Sequence, residues 1–295
     1  MSGSKHSSEL EDRIQSALRR FGGSRRKRLL RHPFRSMAPL VMRHFGSTRD
    51  ITCPTFYGAK FRGLLPEAVT TQVWRTTAYS PDVCRALAYA LKPGQTFMDI
   101  GAHFGFFSQF ASFLIGPKGT TVSVEAMPRT FAYLSGNMSQ AVAEGRAQLF
   151  NVAATDHETT MVFKDFGIVA SSLNTAFENR GASSLVREPT EVTVRARTGD
   201  TILAEARARP DLIKIDAESS ELLVLKGLAR TIDTLRPALI LELGDNPSTP
   251  EPTTPVIWSQ LTERGYRPVH FESMEPREIG LDRALRYANV LFLPA

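Results

Sequence analysis

The run Asp99-Ile-Gly-Ala-His-Phe-Gly105 puts an acid, two glycines and an imidazole side by side. A short apolar segment, residues 96–100, precedes it, and Phe106, Phe107, Phe110, Phe113 and Leu114 follow at the spacing of a core-facing helix. Strand, glycine turn and helix together can cradle a nucleotide, because glycine lets backbone approach a ligand and the helix start presents free N–H groups. A pyrophosphate turn would carry a third glycine and no leading acid, so diphosphate fits poorly here. The segment 121–125 ends in Glu125, where a carboxylate can accept both hydroxyls of a ribose. A third group, Asp216, Glu218 and Glu221, falls where the apolar segment 211–216 passes into a helix. Ligands of open α/β sheets bind at that edge, and a carboxylate there can take the proton of a reacting hydroxyl. Asp216 is the first candidate base. Glu218 and Glu221 have a plainer reading as acids complementing the dipole of a helix start. His103 is a base, a substrate contact, or a turn residue packed over a cofactor's edge. Glu242 closes the next strand and could share a divalent cation with Asp216, but no metal site is assigned. Lys214 faces away from Ile213 and Ile215 and is expected to pair with a neighbouring acid.

These residues need a scaffold that brings strand ends together. Strands are expected at 96–100, 121–125, 147–152, 211–216, 237–243 and 289–293, with helices between them, including one opened by Pro128 and carrying Phe131, Leu134 and Met138. That alternation implies a parallel sheet. Ahead of it, 55–65 reads as a hairpin around Gly58, and Ser80-Pro81 as the cap and first residue of a helix ended by Pro93-Gly94. Segments 159–164 and 191–197 look extended and flank a Gly/Ser-rich insertion placed at the sheet edge. Residues 219–230 read as an apolar helix ending around Gly227, 246–255 as a proline-rich loop, and Trp258, Leu261 and Tyr266 as a last helix and strand.

Charge is unevenly spread. Residues 1–50 hold 12 Lys or Arg against four acids, so this stretch carries +8 while the chain as a whole carries +6. A capping box at Ser8-x-x-Glu11 would open a helix with Leu10, Ile14, Ala17, Leu18 and Phe21 on one face, stopped by Gly22-Gly23. Arg25-Arg-Lys-Arg28 with Leu29, Leu30 and Arg31 follows. Such a stretch suits a solvated helix or oligomer contact, then an anionic membrane surface, with nucleic acid last because no single-strand platform accompanies it. Cys53 and Cys84 cannot build a disulfide framework, and no apolar run reaches the length of a signal peptide or membrane span, so a cytoplasmic protein, peripheral at most to the inner face of a membrane, is expected.

The acid-led turn resembles motif I of class I methyltransferases. Taken with Glu125-Ala-Met-Pro128, Asn151-Val-Ala153, Gly181-Ala-Ser-Ser-Leu185 and Lys214-Ile-Asp-Ala-Glu218-x-x-Glu221, it resembles the FkbM-type methyltransferases over about residues 93–243. Three departures stand out. His103 replaces the family's Asn, two residues separate Glu125 from Pro128, and Ser219 replaces a Gly. The resemblance implies a Rossmann-like, seven-stranded, mostly parallel sheet with helices on both faces, and S-adenosylmethionine as cofactor. The chain then divides into a basic, partly helical extension (1–50), a hairpin and helix leading into the core (51–92) and the methyltransferase domain (93–295). Asp99, Gly101, Ala102, His103, Gly105, Glu125 and Ala153 would hold the cofactor, with Asp99, Gly101 and Gly105 at its methionine end. Asp216, Glu218 and His103 would serve an acceptor hydroxyl on a sugar, glycolipid or natural product. The alternatives are an NAD-dependent oxidoreductase, opposed by the missing third glycine and the lack of a Tyr-x-x-x-Lys pair, and a non-catalytic cofactor-binding protein attached to an anionic surface.

Overall fold

The computed structural model describes residues 2–20, 25–167, 169, 190–217, 219–244, 253–286 and 288–295. Three helices come first, α1 (Ser2–Arg20), α2 (Arg25–Arg31) and α3 (Pro33–His44), then a hairpin of β1 (Arg49–Pro54) and β2 (Lys60–Leu65). Helices α4 (Ala68–Thr76) and α5 (Pro81–Ala90) lead into β3 (Thr96–Ile100), α6 (Phe106–Ile115), β4 (Thr120–Val124), α7 (Pro128–Ala143) and β5 (Ala147–Phe150). A small three-stranded sheet follows, β6 (Ala153–Thr155), β7 (Thr159–Asp165) and β8 (Thr190–Thr198), with β8 in the middle. The chain then continues through α8 (Gly199–Ala206), β9 (Leu212–Ile215), α9 (Glu221–Gly227), α10 (Ala229–Leu235), β10 (Ala238–Leu243), α11 (Thr254–Glu263), β11 (Tyr266–Phe271), β12 (Pro276–Glu278), α12 (Leu281–Ala284) and β13 (Ala288–Pro294).

The main sheet has the order β12-β11-β13-β10-β9-β3-β4-β5. Pairings from β5 to β10 are parallel, and those of β13 with its two neighbours are antiparallel. The expected seven strands become eight because β12 folds back along the edge of β11. Strand alternation sends Phe97, Leu212, Ile240 and Leu291 into a core under α5, α6 and the hairpin, while Met98, Ile213, Leu239 and Phe292 face α8, α9 and α11. Chain order reverses between β3 and β9, so their carboxyl ends open a crevice there.

Several elements depart from expectation. The segment 147–152 splits, because the chain leaves the main sheet after Phe150 and re-pairs as β6 with β8. The strands that flank the insertion, β7 and β8, therefore pair with each other in a second sheet, while residues 170–189 between them, 181–185 included, lie outside the described residues, as do 245–252 of the proline-rich loop. The helix expected over 219–230 starts at Glu221 and ends at Gly227, where its end was expected, and a further short helix, α10, follows it. Helix α1 starts upstream of Ser8, and Glu11 does not box its start: its carboxylate accepts two hydrogen bonds from Arg85, each 2.9 Å. Leu10 and Ile14 are buried in the same core as Phe61, Val73 and Leu87, Leu18 packs against it and Ala17 is buried too, so the amphipathic face of α1 is spent on the fold. Ser80 precedes α5 at φ +39°, and its hydroxyl donates to Asp82 Oδ1 instead of capping the helix. Phe113, expected in the core, is exposed at the outer end of α6.

Candidate active site

The turn after β3 is pinned from two directions. Gly101 and Ala102 both donate their N–H to the carbonyl of Val124 at 3.0 Å, and the N–H of Asp216 donates to the carbonyl of Ile100 at 3.1 Å. Gly101 sits at φ +72°, and a Cβ on it would lie 1.8 Å from the Asp216 carbonyl oxygen. Close backbone approach is what this glycine allows. Around the turn lies a cavity of about 400 Å³, within the range of small-molecule sites, roughly 300–1,000 Å³. Gly101, Ala102, His103, Glu125, Ala153 and Asp216 line it.

Glu125 stands at its rear. Its Oε2 accepts the N–H of His103 and its Oε1 the N–H of Met127, both at 2.9 Å. Burial pushes its carboxyl up to about 7 against those two donors. Asn151 braces the same loop, donating to the carbonyls of Glu125 and Ala126 at 2.9 Å each. His103 has φ +52°, and its ring stacks on Phe104 at 4.3 Å, which stacks on Tyr133 at 4.5 Å. Burial lowers its pKa, which favours the neutral imidazole.

Opposite, Lys214 is the hub. It is 2% exposed, its Nζ donates to Asp216 Oδ2 at 3.0 Å and lies 3.6 Å from Asp99 Oδ1, and it sits over the Phe107 ring at 5.2 Å. Burial opposes its charge, but Asp216, Asp99 and Glu242 outweigh burial and raise its pKa. Burial likewise opposes ionisation of Asp216, and Lys214 together with the neighbouring Glu242 overcomes it, which holds the Asp216 carboxyl below the usual range. Asp216 and Glu242 are thus neighbours, as a shared cation would require, but the positive charge between them comes from Lys214. Among the described residues no group of three or more His, Cys, Asp or Glu is arranged to hold a metal.

Two residues expected at the cofactor are not on the cavity wall. Asp99 is fully buried beneath it, accepting from Ser108 Oγ at 2.7 Å, and Ser108 accepts from Ser123 Oγ at 2.9 Å. Burial raises its pKa, so of the two carboxylates sharing Lys214 it regains a proton first. Gly105 opens α6 against Leu134, away from the lining. Glu221 turns back to accept the N–H of Ala217 at 2.9 Å and is pushed up to about 7 by burial, so it organises the loop after β9. Glu218 lies outside the described residues. The wall also holds Tyr79, Phe107, Phe163 and Val69, none of which carried a sequence signal for it. Val69 is placed by a cap that the sequence hides, because Glu67 accepts the N–H groups of Val69 and Thr70 at 2.8 and 2.7 Å and so starts α4.

Ser219 has φ +77°. A side chain in that left-handed conformation costs about 1–2 kcal/mol, so Ser219→Gly should raise stability by roughly 1 kcal/mol. Urea unfolding checks this, and an unchanged or lower midpoint would count against strain at this loop.

No curated protein matches the chain in sequence. Among solved structures it is similar to the methyltransferase FkbM from Methylobacillus flagellatus KT, at 13% identity over 95% of this chain and 58% of that one, with a TM-score of 0.45. It is also similar to a SAM-dependent O-methyltransferase from Thermotoga maritima, at 10% identity over 85% of this chain and 80% of that one, TM-score 0.39. Aeropyrum pernix fibrillarin, solved with bound S-adenosyl-L-methionine, matches at 12% identity over 71% of this chain and 72% of that one, TM-score 0.37. The family described as "Methyltransferase FkbM domain" matches residues 99–268, from the acid of the glycine turn to the middle of β11. With more than half of its length so matched, the chain belongs to the FkbM methyltransferase domain family.

Proposed function

We propose that the protein transfers a methyl group from S-adenosylmethionine to a hydroxyl of a sugar, glycolipid or natural product. The methyltransferase assignment and its cofactor rest on the family; the oxygen acceptor is the step added here. The cavity suits this cofactor chemically. Glu125 offers a buried carboxylate to a ribose diol, and Ala153, Val152 and Met127 give apolar wall to a base. When bound, the cofactor supplies an electrophilic methyl on a positively charged sulfur.

The chain's part is to hold the acceptor hydroxyl beside that methyl and to receive its proton. The observation that carries this reading is the Asp216 carboxylate, kept ionised by Lys214 at 3.0 Å yet with 29% of its side chain open at the crevice. A hydroxyl gains acidity as its oxygen forms a new bond to carbon, so a weakly basic carboxylate suffices if it is already charged and in place. His103, neutral and on the same wall, is the second proton acceptor available.

Asp216→Asn should leave calorimetric S-adenosylmethionine binding within about twofold and cut tritiated methyl transfer to glycan or glycolipid acceptors by at least about a hundredfold. Retained turnover would remove Asp216 from the chemistry. Binding of NAD in place of S-adenosylmethionine would overturn the whole reading.

A further inference from the structure

Helices α2 and α3 present a surface that the methyl-transfer site does not use. Between Arg13 and Arg49 the sequence contains no Asp or Glu, and α2 and α3 lie wholly inside that stretch. The outer side of α3 is apolar. Phe34, Met37, Val41 and Phe45 recur at intervals of three and four residues, which aligns them in one stripe, and all four are exposed, Phe34 at 69% and Phe45 at 75%. Leu30, at the end of α2, is 83% exposed. Large apolar side chains exposed together to this degree mark a contact surface.

The helix holding this stripe is not loose. On its inner side Pro39 is buried, Arg75 donates to the carbonyls of Arg35 and Ser36 at 3.0 and 3.2 Å, and Arg43 donates to the carbonyl of Pro66 at 3.1 Å. Phe34 meets Trp74 edge to face at 5.8 Å, and Arg35 lies over the same indole at 5.6 Å. The body therefore fixes which face of α3 is outward, and it is the apolar one.

We propose that α2 and α3 form a docking surface for an anionic phospholipid membrane. The stripe would enter the acyl boundary, and the basic side chains flanking it would meet lipid phosphates, which is the division of labour expected of an interfacial amphipathic helix. Charge selects this occupant over two others. A second copy of the chain meeting this face with its own would oppose two surfaces without a single acid. A nucleic acid would use the charge but leave an aliphatic and phenylalanine stripe in water. No helix of the described residues is long and apolar enough to cross a membrane, so the contact is with the surface. The proposal is independent of which acceptor is methylated.

The test is flotation of the full chain with vesicles of phosphatidylglycerol and phosphatidylcholine, beside vesicles of phosphatidylcholine alone. The expected result is binding to the anionic vesicles only, weakened by raising salt, with a blue shift of tryptophan emission as Trp74 beside Phe34 loses water. Phe34→Gln/Val41→Gln/Phe45→Gln should lower vesicle affinity at least tenfold while S-adenosylmethionine binding, which reports the fold, stays unchanged. Lys27→Gln/Arg31→Gln, at two exposed positions of α2, tests the charge separately and should weaken the salt dependence. Equal binding to neutral vesicles, no vesicle binding, or a stripe-dependent dimer or RNA complex without vesicle binding would each overturn the proposal.

Discussion

Gly101→Ala is expected to abolish S-adenosylmethionine binding and to cost about 3 kcal/mol or more of stability, combining left-handed strain with a backbone collision. The added methyl would sit 1.8 Å from the Asp216 carbonyl oxygen and 2.9 Å from its carbon. Neither side can give way cheaply. The Asp216 N–H is bonded to Ile100 and the Gly101 N–H to Val124, so separating the two turns breaks ladder bonds of the central strands. Whatever movement occurs displaces Asp216, Lys214 and the backbone donor to Glu125 together. Gly105→Ala is the informative companion, since that glycine is also left-handed, at φ +84°, but the one close approach of its Cβ would be to the Leu134 Cδ1 methyl, at 2.7 Å, with Leu134 Cα and Met138 Cγ at an ordinary 3.7 Å. It should lose less stability and retain measurable binding. Thermal unfolding and calorimetry on both variants decide the matter; equal behaviour would show that the contact between the two turns is unimportant.

That contact marks the boundary of what the residues reveal unaided. The alternation of apolar segments located the parallel strands within a residue or two, because strands buried on both faces are apolar throughout. The crevice followed, since acids at Glu125 and Asp216 end strands that sit either side of β3. Asp99 was harder. An acid at a strand end looks like a ligand contact, and only the register, which sets Asp99 beside Lys214 and Ser123, shows it facing α6 beneath the cavity. Helix α4 was invisible because a glutamate at its cap and a Val/Thr-rich body both argue against a helix locally, and tertiary contacts override them.

The two departures from the family pattern inside the loops gain a common explanation from backbone angle. His103 stands where the family has Asn and Ser219 where it has Gly, and both positions are left-handed, at φ +52° and +77°. Asn and Gly are the residues that occupy this region at least cost. The sequence displays the substitutions but not the torsions, so the departures look chemical when their first consequence is conformational. At His103 the chain offsets that cost by stacking the ring on Phe104 and by donating its N–H to Glu125.

With the ribose placed at Glu125 as proposed, S-adenosylmethionine affinity should rise with pH through about 7. The Glu125 carboxyl titrates at about 7 because burial penalises the charge, while ribose hydroxyls donate most strongly to the ionised form. Below that value binding must expel the proton, so affinity falls by up to about tenfold per pH unit; above it the curve flattens. Asp216, already ionised, adds no slope in this range. Glu221 also titrates at about 7, but it does not line the cavity, so it enters stability and not binding. Both glutamates hold protons more tightly folded than unfolded, so the ligand-free chain loses stability as pH rises from the ordinary 4.5 through about 7, the opposite direction to affinity. Glu125→Gln should weaken binding by roughly 10- to 100-fold, as expected for exchanging a charged acceptor for a neutral one, and should flatten the pH profile. Calorimetry at pH 6, 7 and 8, in buffers of differing ionisation enthalpy to count the proton released, separates this from a general charge effect. An affinity constant across that range, or a slope surviving in Glu125→Gln, would mean that the cofactor's ribose is held elsewhere.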